Sequence, residues 1–332
     1  MPRSRGRSIR VHHPVRDLTM PDYLMRDALA FGEDETILEV EEWGSAWLGE
    51  GWRADGEHQL CVEVVKRAVA KPSPHALAAL AALRRVAPPG EEKLLDEAIG
   101  RLFESQPLPT WFGTPVLPPL RAWRSVDPYD SEHVLFIEYG EDPHLLMAEV
   151  YFTGIIWAER LTVLQADALS AWKRPVTEHP VGEILAELAD AMRGTDDAPF
   201  RPAEEDYAEL RALVWSRCRE HLPAPLERTS MDETERLRIL DDFETRDPVA
   251  RSLAELFLDF GDTYFASGPL KWSPAWVRFL LNDWVPDKGT DLEPEVRAAL
   301  PAVLRRWVRF VLERRGVAEE WIGPVEEAVT GP

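Results

Sequence analysis

Cysteine is nearly missing from this chain: Cys61 and Cys218 are the 2 thiols in 332 residues, and they lie far apart. Two thiols build neither a four-cysteine zinc site nor a disulfide framework, so both read as buried free thiols. Lysine is scarce too, with only Lys66, Lys71, Lys93, Lys173, Lys271 and Lys288, so arginine carries nearly all the positive charge. Beside abundant Ala, Arg, Pro and Glu, that usage is typical of GC-rich bacterial genomes. No apolar run approaches the ~18 residues that a membrane span needs. The N-terminal MPRSRGRSIRVHHPVRDL is basic without an apolar stretch, which excludes a secretory signal. The expectation is a cytoplasmic protein that does not touch a membrane.

Common catalytic signatures are missing as well. There is no Gly-x-Ser-x-Gly for a nucleophile elbow, and no glycine run closed by lysine for a phosphate loop. Gly49-Glu50-Gly51 with Gly56 has the wrong spacing and no apolar strand before it, so it reads as an ordinary loop. No pair of histidines stands four apart around a glutamate, and zinc-deaminase chemistry lacks its paired cysteines. The acidic runs Glu204-Glu205-Asp206 and Asp241-Asp242 lack the alternation, central glycine and terminal glutamate of a calcium loop. They read as solvated helix ends. No cofactor and no metal is expected.

What is present supports a folded protein. With 45% hydrophobic residues, 13 Trp and 12 Phe, the chain can bury a sizeable core and is not disordered throughout. A net charge of −21 repels phosphate on average and disfavours wholesale coating of nucleic acid. Residues 131–164, SEHVLFIEYGEDPHLLMAEVYFTGIIWAERLTVL, form the one strongly strand-like block, broken at Gly140-Glu141-Asp142-Pro143 and near Thr153-Gly154. The rest is written in helical periods. The fold class expected is therefore α+β with a helical majority, a small antiparallel meander covered by helices and followed by a C-terminal helical bundle.

Along the chain, residues 1–17 read as a flexible basic arm. Residues 18–106 form an N-terminal helical module, the prolines from Pro107 to Pro119 mark a connector, and 120–332 hold the meander and the C-terminal helices. Thr19-Met20-Pro21-Asp22, Ser73-Pro74, Asp247-Pro248 and Ser273-Pro274 are helix starts, and Ser230 with Glu233 has capping-box spacing. Leu60 to Val65 suits helix or strand alike. A helix over Val181 to Arg193 is expected to stop at Gly194, one over Glu204 to His221 to end at Leu222-Pro223, and one from Ala302 to Arg315 to begin at Pro301.

Three groups of residues are candidates for function. Glu138, Asp142, His144 and Glu149 surround a predicted hairpin turn, where an imidazole beside carboxylates serves as base or metal ligand; the plainer reading is a polar edge. Trp272, Trp276 and Trp284 make an aromatic segment suited to a protein partner or to core packing between helices. The helix PAVLRRWVRFVLERRG inverts the local charge. Arg305, Arg306, Arg309, Arg314 and Arg315 lie off its apolar stripe and either pair with the protein's own carboxylates or meet an anionic partner.

Four pieces carry a resemblance: the strand block around His144 to Ile155, DYAELRAL at Asp206–Leu213, FLLNDWVP at Phe279–Pro286 and LPAVLRRWVRF at Leu300–Phe310. Over roughly residues 120–320 the chain resembles an uncharacterised actinobacterial protein family, the C-terminal pieces being the most specific. The resemblance implies no activity. Members of that family carry a polar Asp-His-Asn cluster after the second strand. Here the same place reads Val150-Tyr151-Phe152-Thr153 with Gly154 kept, so whatever chemistry the cluster performs is not written in this chain.

The functional expectation is an interaction or scaffold protein without catalytic activity, binding a protein partner through Trp272, Trp276, Trp284, Arg305, Arg306 and Arg309. Two alternatives stand beside it. One is an enzyme or metal-binding protein using His144 with Glu138, Asp142 or Glu149; the other is a nucleic-acid accessory factor using the basic arm and the Arg305–Arg315 helix.

Overall fold

The computed structural model describes residues 19–31, 35–140, 143–153, 155–198, 205–225, 230–243, 246–266, 268–288 and 292–330. The basic arm, Asp142, Gly154 and Glu204 lie outside these residues. Among those described, 13 helices accompany one five-stranded antiparallel sheet, a mostly helical α+β architecture.

The chain opens on five helices, α1 (Met20–Asp27), α2 (Ile37–Arg53), α3 (Glu57–Ala70), α4 (Pro74–Val86) and α5 (Pro89–Phe103). Their starts are chemically explicit. The Thr36 hydroxyl accepts from the Glu39 amide while the Glu39 carboxylate accepts from the Thr36 amide, a reciprocal cap. Ser73 caps α4 through the Ala76 amide, with Pro74 fixing the first helical φ. Leu60 to Val65, ambiguous by period, is helical. Gly49 and Gly51 are not loop residues but sit inside α2. A Cβ at Gly49 would meet the Ala208 carbonyl oxygen at 2.0 Å, so glycine is there to let a second helix approach.

The sheet holds β1 (Pro119–Val126), β2 (Glu132–Tyr139), β3 (His144–Thr153), β4 (Ile155–Gln165) and β5 (Thr177–His179), in the order β4-β3-β2-β1-β5. The meander is thus longer than its apolar signature, because β1 and β5 join it. Next come α6 (Val181–Asp197) and α7 (Glu205–Cys218). They cover the sheet face carrying Leu135, Ile137, Leu146, Ala148 and Val150, using Ile184, Leu188, Met192, Tyr207 and Val214. The opposite face, with Trp123, Phe136, Leu145 and Met147, is covered by the short 3-10 turn Ala166–Ala171 and Trp172.

Helix α6 runs through Gly194 rather than stopping there. A Cβ at Gly194 would lie 1.8 Å from the Ile156 carbonyl oxygen, so the residue marks contact with β4, not a helix end. Beside it, Glu149 opposes Arg160 and Val150 opposes Ala158, leaving Glu159 as a bulge residue in β4. The Thr195 hydroxyl fills that bulge, accepting from the Ala158 amide at 2.8 Å and lying 2.9 Å from the Ala158 carbonyl.

The C-terminal bundle comprises α8 (Glu233–Asp242), α9 (Pro248–Tyr264), α10 (Pro274–Phe279), α11 (Val285–Lys288), α12 (Pro294–Arg314) and α13 (Glu319–Ala328). Helix α8 is capped by Asp232, through the Thr234 and Glu235 amides, rather than by Ser230. Helix α12 begins at Pro294 and passes through Pro301. Its core is separate from those of the sheet and of the N-terminal helices. Helix α7 contributes buried residues to two of them: Ala212 and Leu213 enter the N-terminal core, Tyr207, Val214 and Cys218 the sheet core.

Candidate functional site

The predicted group around His144 does not assemble. Side chains alternate across a strand, so His144 and Glu149, five apart on β3, face opposite sides of the sheet. Glu138 pairs across from Leu145, while Tyr139 is the neighbour of His144. Glu138 binds Arg121 at 2.8 Å, and Glu149 faces Arg160 at 3.5 Å. Burial raises the Glu149 pKa. His144 is buried against α7, stacked on Tyr139 with ring centroids 5.3 Å apart. Its Nε2 accepts from Arg217 Nη1 at 2.9 Å, since a guanidinium can only donate. Arg217 also binds buried Glu41 at 2.8 Å, and Arg85 takes the other Glu41 oxygen at 2.8 Å. Arg85–Glu41–Arg217–His144 therefore fastens α2, α4, α7 and the sheet together.

The aromatic and basic candidates are also largely turned inward. Trp272 is fully buried and Trp276 is 8% exposed, both in the bundle core, and Trp284 is half-buried with its ring 5.8 Å from Phe260. Apolar area of that size is worth more inside than on a polar surface. Arg309 is clamped by Glu326 at 2.6 Å and Glu319 at 3.0 Å, and Arg314 by Asp242 and Glu235. Arg315 donates to the Tyr129 carbonyl at 2.9 Å. Arg306 lies over the Phe243 ring, and both Arg305 and Arg306 are exposed. Of the five arginines, Arg309 and Arg314 are thus met by the protein's own acids.

A concave site does form, at a place no sequence motif marks. The turn between β1 and β2 is organised by Asp127, whose carboxylate accepts from the Ser131 amide at 2.6 Å and the Glu132 amide at 2.9 Å. Asp130 takes a left-handed conformation there, φ 58°, and binds Lys271 of the segment before α10. The Tyr129 hydroxyl donates to the Trp321 carbonyl at 3.0 Å. With Arg315 on the Tyr129 carbonyl, the turn is tied to the bundle at three points, and a pocket of about 630 Å³ opens beside it. Tyr129 and Tyr151 line it from the sheet side; Tyr264, Trp276 and Phe279 line it from the bundle. Glu132 in its wall is neutralised by Arg174 at 2.6 Å. Burial and the carboxylates of Glu132, Glu159 and Glu149 push the Tyr151 pKa well above the usual tyrosine range, so its hydroxyl stays protonated. Arg278 lines the pocket with no hydrogen bond or ion pair among the described residues. A π-helical turn, Leu280–Trp284, follows at once. Such turns are uncommon and gather at functional sites.

Compared with protein-family models, curated proteins and solved structures, the chain matches none.

Beside the pocket, His133 has both ring nitrogens occupied, Nδ1 by Glu187 at 2.5 Å and Nε2 by Asp130 at 2.8 Å. Burial works to lower its pKa, but the hydrogen bonds to Asp130 and Glu187 outweigh it, and the pKa is raised. With no nitrogen left for a substrate, this imidazolium is a clamp. A second cavity of about 240 Å³ lies between α3, α6 and α7. Asp196 there is saturated by Arg211 at 2.7 and 2.9 Å and by the Trp215 indole at 2.9 Å, while burial raises the Glu57 pKa. Among the described residues no three His, Cys, Asp or Glu side chains converge to hold a metal ion. Burial pushes both thiols up to about 12. No described helix is long and apolar enough to cross a membrane.

Proposed function

We propose that this protein is a binding protein whose recognition site is the pocket between the sheet and α10, and that it takes a small molecule with a flat apolar body. The observation that carries the reading is an open pocket of about 630 Å³ lined by five aromatic residues, Tyr129, Tyr151, Tyr264, Trp276 and Phe279. Ligand sites are typically of about 300–1,000 Å³, apolar, lie at the junction of structural units, and carry few polar groups. Of the three tryptophans expected to recognise a partner, Trp276 lines this pocket, while Trp272 is buried in the bundle core. Arg309 and Arg314 of α12 are engaged elsewhere, by Glu326, Glu319, Asp242 and Glu235.

Ala275 lines the pocket and is exposed, so Ala275→Trp fills it from the open side. In a thermal-shift screen of aromatic fragments, hits should raise the melting temperature of the wild type and leave Ala275→Trp unmoved. At a hundred times Kd a bound fragment adds about 2.7 kcal/mol. Fragments that stabilise both proteins equally, or an absence of hits, would overturn the reading.

A further inference from the structure

We propose that the ligand of this pocket is an anion: a flat aromatic acid whose carboxylate, or like oxyanion, is seated on Arg278. The inference rests on the pocket being the binding site and adds the charge of what enters it.

Arg278 is the exception among its cationic neighbours. Lys271 is committed to Asp130, Arg174 to Glu132 and Arg315 to the Tyr129 carbonyl, whereas Arg278 has no partner among the described residues. Arg278 is exposed, so its guanidinium stands at the open mouth of the pocket, where an entering anion can reach it. The acid in the same wall, Glu132, is paired with Arg174, which leaves Arg278 as the lining cation not held by a carboxylate among the described residues. The Tyr151 hydroxyl is held by Glu159, whereas the Tyr264 hydroxyl has no partner among the described residues. An entering carboxylate therefore meets one cation, with the Tyr264 hydroxyl in the same lining, and the rings flank its apolar body. Guanidinium is the side chain best matched to that group, since its planar fork offers two parallel N–H donors. The π-turn that begins two residues after Arg278 inserts an extra residue into the turn following α10. That irregularity is where a side chain is re-aimed in an otherwise regular helix.

Three dyes test the proposal by fluorescence titration of the full chain: anilinonaphthalene sulfonate, the uncharged N-phenylnaphthylamine, and the cationic thioflavin T. The wild type should bind the sulfonate with unit stoichiometry, more tightly than the neutral analogue, and more weakly as salt is added. Arg278→Gln should weaken the sulfonate by about tenfold or more, the loss of one charge-assisted hydrogen-bonded pair, and leave the neutral dye within about twofold. Arg278→Lys should restore part of the difference. Ala275→Trp, with its fold verified by circular dichroism, should abolish both. If Ala275→Trp blocks neither dye, the pocket itself is not the site. If it blocks both while Arg278→Gln lowers them equally, or thioflavin T binds best, the pocket stands and its preference for an anion falls.

Discussion

Glu41 shows how far a single residue can be from its sequence appearance. In the run ILEVEEWG it reads as one more acid on a solvated helix, yet it is buried and holds two guanidinia, Arg85 and Arg217. Its partner Arg217 stands 176 positions away, and nothing local announces the pairing. Replacing it leaves two buried cations uncompensated. Glu41→Ala should therefore cost about 3–5 kcal/mol, the typical penalty for breaking a buried pair from one side, measured by urea denaturation. Arg85→Met together with Arg217→Met should recover much of that loss in the Glu41→Ala background. His144 was legible as an unusual residue but not its office. The strand period separates it from Glu138 and Glu149, and only the tertiary approach of α7 supplies Arg217.

At the scale of elements, legibility followed the strength of local chemistry. Helices with a side-chain cap and a proline at the first turn, α4, α9 and α10, begin where their sequences say. Strands β2 to β4 were legible because they are apolar on both faces or β-branched. Strand β1, PLRAWRSV, hides two arginines in its pattern, and β5 is only three residues long, so pairing rather than composition makes them strands. Glycine misled in both directions: Gly49, taken as loop, and Gly194, taken as a stop, each mark a backbone crossing. The bulge in β4 depends on Thr195 in the same way. Thr195→Val keeps the shape but strands the Ala158 amide, so a loss of about 1–3 kcal/mol is expected, with faster hydrogen exchange at Ala158 than at neighbouring strand amides.

For the whole molecule, the pocket joins residues 129–151 to residues 264–279, and no window of sequence contains both walls. What could be read was the cluster of tryptophans before and after α10; that one ring, Trp276, borders a cavity while Trp272 closes a core depends on how the bundle meets the sheet. The His133 clamp holds that meeting. Facing it are Asp130, itself bound to Lys271, Glu187 from α6, the Phe152 ring, and Arg124, which reaches Glu187 at 3.4 Å. For Asp130, burial opposes ionisation, but hydrogen bonds from His133 and Lys271 outweigh it and hold the carboxyl far below its usual 3.8. Its contribution is present above 3.8 and lost as pH falls through the depressed folded value. The His133 pKa is raised above 6.5, so its contribution is complete below 6.5 and is lost as pH rises through the higher folded value. The stability difference between wild type and His133→Gln should therefore be greatest near pH 5 and shrink through neutral and mildly alkaline pH. Denaturation series at matched salt check this; a difference independent of pH would mean that His133 acts by packing alone.

Because Ala212 and Leu213 of α7 complete the core of the first five helices, those helices cannot finish folding when they leave the ribosome. Their missing piece is made roughly a hundred residues later, which at ordinary elongation rates is a delay of about 5–20 s. During that interval Trp43, Trp47 and the alanine-leucine face of α4 wait with one side uncovered. Slowing translation before α7 should lengthen that interval, read as greater protease sensitivity of the first five helices on stalled chains.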